Sequence, residues 1–220
     1  FLAHSDLHRY YHQNEQVIVV TSRDQISADV SAGIQPEMKK KLWHELDNKT
    51  EDLIGMLPCV SKMPLVIKAN LATELGICNG TLCTLSRVIC HPDEQNMHDL
   101  DTKQPGESVF LTHFPKLIIV KIPPVVKTID KKKVDTWRFK QFKGLEPGEF
   151  PIFPLTRTFT YKRKEDGVEV STKIRRTQFP LIPGYALTGY TAQGGTFKKA
   201  ILDLATPKGR GTGTINPADA

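Results

Sequence analysis

The residues able to act on a ligand fall into a few groups. His4, His8 and His12 recur every four residues, which would set three imidazoles on one helical face. Two histidines at that spacing can hold zinc, but a site needs a third or fourth ligand. No carboxylate motif lies beside them, so a solvated face accounts for the pattern. Cys78, Cys83, Cys90 and His91 form the second group. In strand-rich sequence their side chains alternate between faces and do not converge, which favours core thiols over a metal site. No G-x-x-x-x-G-K-[ST] occurs, and neither Gly194-Gly195 nor the Gly209, Gly211, Gly213 repeat has the strand-loop-helix setting of a phosphate cradle. Alone, the chain is not expected to hold a nucleoside triphosphate in the usual way. Gly-x-Ser-x-Gly is absent, and the carboxylate pairs Glu51-Asp52 and Glu165-Asp166 sit in turn-like segments where solvation explains them.

The last group is the basic stretch from Lys121 to Lys143, with Lys131, Lys132 and Lys133 at its middle and Trp137, Phe139 and Phe142 beyond them. Cations neutralise phosphates, and an aromatic face stacks on an unpaired base at ~1–3 kcal/mol per base. A solvated lysine loop with its aromatics tucked into a β-barrel explains the same residues, and the sequence leaves both readings open. Thirty Lys+Arg against twenty-four Asp+Glu give a net charge of +6, a surplus that suits a polyanion without requiring one.

The elements that must position these residues are short. At 220 residues the chain amounts to one large domain or two small ones, and 39% apolar with 25% charged residues excludes wholesale disorder. Apolar runs such as Leu117–Val120 fall far below the ~20 residues of a membrane span. No secretory signal is visible after Phe1, and the absence of an initiator Met suggests a fragment or a gene cut at an exon edge. The four cysteines are therefore expected to be reduced and mostly buried. The first dozen residues suit a helix. Gln16 to Thr21 reads as a strand buried on both faces, Ser22-Arg23-Asp24 as capping chemistry, and Gln25 to Ile34 as a helix. Pro36 to Asn48 is helix-prone, Thr50 to Pro58 a connector, and Met63 to Asn70 a strand with Pro64 at its start. Asn79-Gly80 marks a turn, with a strand from Leu82 to Ile89. His91 to Ser108 reads as a surface loop, Phe114 to Ile122 as a strand, and the basic stretch as a connector. Phe150 to Tyr161 and Val168 to Ile174 complete a small β-barrel or sandwich, and Ala200 to Leu204 is a final strand.

Several blocks resemble PIF-type, superfamily-one DNA helicases. Leu65-Val66-Ile67-Lys68-Ala69-Asn70-Leu71 followed by Cys78-Asn79-Gly80-Thr81 is similar to the family's Met-Leu-x-x-Asn-Leu strand and Val-Asn-Gly turn. Gln178-Phe179-Pro180-Leu181 and Tyr185 to Thr196 resemble its Gln-x-Pro-Leu and Ala-x-Thr-x-His-Lys-x-Gln-Gly-x-Thr segment, and Val19 to Arg23 its motif IV strand end. The length between blocks looks most like the helicases of Helitron-type transposons. The match runs through nearly the whole chain in order.

The resemblance implies an α/β fold: a second RecA-like domain with a parallel sheet over residues 1–75 and 178–220, interrupted at 76–177 by a small Src-homology-3-like barrel. Such enzymes move 5′ to 3′ on single-stranded DNA, with ATP and Mg2+ between two RecA-like domains. On the matching positions Arg23 approaches the nucleotide as the catalytic arginine, because its planar fork stays protonated beside phosphoryl charge. Gln193 and Gly194 lie at the cleft between domains, and Thr188 holds the DNA backbone. Tyr190 and Thr191 replace the family's His and Lys; Tyr190 keeps the means to stack on DNA, while Thr191 loses a cation. Asn70 and Asn79 read as strand-end and turn residues rather than DNA contacts. The first RecA-like domain, with its phosphate loop and magnesium-binding acid, and the later Arg-bearing motif are not in this sequence, so ATP and Mg2+ are not expected to bind tightly to this chain alone. Single-stranded DNA is the implied partner and the nucleus the implied location; neither a membrane nor a homo-oligomer is indicated. A non-catalytic nucleic-acid-binding module and an inactive transposon remnant are the rival readings.

Overall fold

A computed structural model describes residues 17–27, 33–94, 108–129, 132–165 and 168–185. The β-branched run Val17–Thr21 forms β1, with Val17, Val19 and Val20 buried. It lies between β3 (Met56–Cys59), which it pairs antiparallel, and β6 (Ser108–Phe110), which it pairs parallel. Pro58 is accommodated because β3 is an edge strand of this three-stranded sheet.

The largest sheet is five-stranded and antiparallel, in the order β10 (Glu149–Ile152), β7 (Leu117–Lys121), β5 (Leu82–Ile89), β4 (Pro64–Ile67), β13 (Leu181–Pro183). Leu65, Ile67, Leu85, Ile118, Val120, Ile152 and Phe179 pack in one core with β1. In the link from β4 to β5, Gly80 adopts φ 89° and the Thr81 N–H bonds the Cys78 carbonyl, so the Asn-Gly turn forms as expected. Asn70 Oδ1 accepts the Asn79 N–H at 3.0 Å, which gives both asparagines local work.

β5 carries one extra residue between Leu85 and Arg87 where it pairs with β7. Strict alternation would send Ser86 and Arg87 to opposite faces; the bulge lets both reach Glu149. Arg87 binds that buried carboxylate through two N–H groups at 2.9 and 3.1 Å, and Ser86 Oγ and the Glu146 N–H donate to it as well. Burial by itself would push the Glu149 carboxyl up; the Ser86 and Glu146 hydrogen bonds and the Arg87 charge outweigh it and hold it below the ordinary glutamate value.

The third sheet joins β11 (Leu155–Glu165), β12 (Val168–Gln178) and β2 (Arg23–Ile26) in that order. Its inner face carries Phe159, Tyr161 and Ile174 against Leu42 of α1 (Pro36–Trp43). Pro at the start of α1, Glu37 in its first turn and Lys40 and Lys41 in its last suit an eight-residue helix whose axis dipole they complement. Arg176 is fully buried on this face. Its Nε and Nη2 each donate at 2.8 Å to the Asp24 carboxylate, Nη1 to the Leu53 carbonyl and Nη2 to the Leu42 carbonyl. One side chain thus closes β12 onto β2, the end of α1 and the segment after it. Gly55 lies on that segment, accepts the Ser22 N–H through its carbonyl and leaves no room for a Cβ beside the Trp43 backbone.

Several readings from sequence need correction. Arg23–Ile26 is strand, so no helix starts at Gln25, and residues 28–32 lie outside the described residues. The capping chemistry of Ser22 and Asp24 serves Arg176 instead, with Ser22 Oγ donating to Asp24 at 3.1 Å. The basic connector contains a hairpin, β8 (Val125–Ile129) with β9 (Lys132–Thr136), whose β-branched residues favour strand between the lysines. The connector from Thr50 contains β3, and β11 and β12 each run to eleven residues, longer than expected. Parallel pairing, expected of the motor part, is confined among the described residues to β1 with β6. Those residues are strand-rich, with one α-helix. β4 and β13 join β5, β7 and β10, while β2 joins β11 and β12.

Replacing Arg176 by Ala strands the Asp24 carboxylate in the core and should cost about 3–5 kcal/mol in urea unfolding. The paired replacement Asp24→Leu with Arg176→Met should cost far less. Because the folded state depresses the Glu149 pKa, its stabilisation is complete above the ordinary glutamate range and is lost as pH falls through the folded value. The stability gap between wild type and Glu149→Gln should therefore be widest at neutral pH and narrow below about pH 4, read from urea melts across pH.

Candidate functional site

A cleft of about 370 Å³ opens where β1 passes into β2, walled by Thr21, Ser22 and Arg23 on one side and by His113 and Phe114 on the other, with Lys39 of α1 contributing. Arg23 is exposed on a short strand whose next residue is locked by Arg176, so its backbone is fixed while its side chain faces solvent. Its guanidinium lies over the Phe114 ring, 5.1 Å from the centroid, an arrangement worth about 0.5–1 kcal/mol at an exposed site. Phe114 in turn stacks nearly parallel on buried Phe179, with centroids 5.3 Å apart. The column Arg23–Phe114–Phe179 joins the two distant sequence blocks.

Gln178 adds a second link. It is fully buried, its Nε2 donates to the Val20 carbonyl of β1 at 3.1 Å, and its Oε1 accepts the Phe179 N–H. β13 then returns alongside β4, with Leu181 opposite Ile67.

The cleft's electrostatics follow from what Asp24 does. That carboxylate lines the cleft but is taken up by Arg176 and Ser22, which leaves Arg23 and Lys39 as the charges facing the space. Lys39 Nζ sits 5.1 Å from the Trp43 ring centroid. His113 gives its backbone N–H to the buried Glu94 carboxylate at 2.7 Å, and its ring stacks on His91 with centroids 5.2 Å apart. Such a cleft suits phosphate oxygens, while Asp24, already engaged, is a poor ligand for Mg2+.

Trp137 is partly exposed, with its ring against Gly148 and Lys121 Nζ 5.8 Å from the ring centroid. Gly148 has φ 80°, and a Cβ on it would overlap the indole. Phe139, Phe142 and Phe150 form an edge-on cluster with centroids 5.6 to 5.8 Å apart, so two of the three expected aromatics pack mainly against other rings. Lys132 and Lys133 fall in β9, while Lys131 lies outside the described residues. Thr188, Tyr190, Gln193 and Gly194 lie outside them too, as do His4, His8, His12 and the strand expected at Ala200.

No disulfide joins the four cysteines; Cys59 and Cys83 are buried, and burial pushes the Cys83 thiol up to about 12. No group of three or more His, Cys, Asp and Glu among the described residues is placed to hold a metal ion. Phe114, His113 and Lys39 escaped the sequence reading because only the fold brings them to Arg23.

No family model and no curated protein matches the chain. Among solved structures it is similar to the Pif1 helicase from Candida albicans at 18% identity and a TM-score of 0.40, over 83% of this chain and 32% of that one. It is also similar to Bacteroides Pif1 bound to ssDNA, at 14% identity and a TM-score of 0.42, over 88% and 30%. A Bacteroides Pif1 in complex with ADP-AlF3 and ssDNA gives 16% and 0.37, over 82% and 27%. The chain thus spans about three-tenths of the length of each of these helicases.

Replacing Gly148 by Ala forces a strained φ and evicts the indole. A lowered melting temperature together with altered tryptophan emission is expected, and both should be absent from Gly33→Ala, where a Cβ meets nothing within 4 Å.

Proposed function

We propose that this chain is the C-terminal motor half of a PIF-type, ATP-dependent DNA helicase, contributing single-strand contacts and one wall of the ATP cleft. The observation that carries the reading is the junction of the two motif blocks. Gln178 of the Gln-x-Pro-Leu segment bonds Val20 on the strand that leads to Arg23, and Phe179 stacks on Phe114, the ring that carries the Arg23 guanidinium. A helicase of this kind needs that junction, because an arginine and the segment leading to the DNA contacts must respond together to one nucleotide.

In this proposal residues 1–75 and 178–220 make up the motor part and 76–177 the insertion. Arg23 offers its fork to phosphoryl charge from an exposed strand, with Phe114 setting its direction and Lys39 adding a second cation. ATP with Mg2+ supplies the driving reaction in the complete enzyme, and the magnesium carboxylate and phosphate loop come from the partner domain. Thr188, Tyr190, Gln193 and Gly194 take the roles that their motif positions imply, and a nuclear location belongs to the same proposal. The partly exposed Trp137 beside Lys121 favours a second reading, single-strand binding without catalysis, and the two share their DNA partner.

The purified chain should bind a fluorescent oligothymidylate with an affinity that falls as salt rises, and should show no single-strand-stimulated ATP turnover. Turnover that Arg23→Ala abolishes would make the chain an enzyme in its own right and overturn the half-motor assignment.

A further inference from the structure

The three-stranded sheet β11–β12–β2 has two faces of opposite character. The inner one holds Phe159, Ile174 and Arg176. On the outer one the register stacks side chains in rows: Thr158 beside Arg175 and Gln25, then Thr160 beside Lys173, then Lys162 beside Ser171. All seven are exposed. The hydroxyls of Thr156 and Thr177, 2.8 Å apart, close the row next to Arg23. Among the described residues of this face the one carboxylate is Glu169, and Lys162 neutralises it at 3.0 Å. Lys173 and Arg175 remain as the charge along its middle, with Arg23 at the end beside Thr177.

We infer that this outer face is a binding track for the sugar-phosphate backbone of a single-stranded nucleic acid, with Lys173 and Arg175 as its phosphate contacts. Same-face side chains recur every ~6.8 Å along a strand, so cations and threonine hydroxyls meet an extended backbone in regular steps. No apolar side chain stands on the described part of the face, so it lacks the buried anchor around which a protein interface is built. It also lacks an aromatic ring, so it would hold phosphates and read no bases. The inference rests on the single-strand binding proposed above and gives that binding a surface of its own, away from Trp137 and meeting the cleft only at its β2 edge, where Arg23 and Gln25 lie.

The test is fluorescence-anisotropy titration of the full chain with oligothymidylate across a salt series. Lys173→Ala with Arg175→Ala should weaken binding about tenfold at physiological salt and flatten the slope of log affinity against log salt by about 1.4, near 0.7 for each lost phosphate contact. Both residues are exposed, so the melting temperature should stay within about 2 °C of wild type. A double variant with unchanged affinity and slope, while Trp137→Ala weakens binding, would overturn the track and leave the helicase reading standing. Failure of the wild-type chain to bind oligothymidylate at all would overturn both. Tighter binding to a duplex of equal length, or equal loss of binding to an acidic peptide in the double variant, would overturn the single strand as occupant.

Discussion

A buried guanidinium organises this molecule. Arg176 has no access to water, and every partner it has in place of water comes from a different part of the chain: Asp24 from β2, Leu42 from the end of α1, Leu53 from the segment that follows. Removing a charge from solvent is costly unless geometry returns nearly all of the lost hydration. Here four hydrogen bonds and the Phe159 ring, 5.1 Å from the guanidinium carbon, do so. The requirement runs outward. β2 must lie in register with β12, the helix must end where its carbonyl can be used, and Gly55 must stay small so that the segment can lie beneath Trp43.

That constraint also shapes the cleft. Asp24 and Arg23 are adjacent in sequence and point to opposite faces of β2. The acid is consumed inside, and the base is presented outside on an aromatic column rooted at Phe179. A site built in this way has its positive charge fixed by the same contacts that hold the core together. The two blocks of sequence that resemble helicase motifs meet at this column, although more than 150 positions separate Arg176 from Asp24 along the chain.

How much of this was legible depended on whether a signal was local. β5 occupies the residues expected after the Asn-Gly turn, β4 starts at its proline, and the turn itself forms. β2 was misread because Ser22-Arg23-Asp24 has the composition of a helix cap, and only the distant Arg176 reveals what the serine and aspartate serve. Lysines disguised the β8–β9 hairpin, since solvated charge and strand propensity share those residues. Arg23 could be singled out from a motif. Phe114, Lys39 and His113 could not, because nothing in the order of residues places them beside it.

The sequence distance spanned by the Arg176 contacts also bears on the order in which the chain assembles. The β11–β12 ladder pairs strands separated by only two positions in sequence and can form early, at hairpin speed. β2 must cross most of the chain to reach it, a slow search of high contact order. Until it arrives, the young hairpin carries a guanidinium that cannot be sequestered, and its inner face stays open to water. Docking of β2 is therefore the step that commits this sheet, and a chain deprived of that strand would present an unfinished sheet for chaperones to hold.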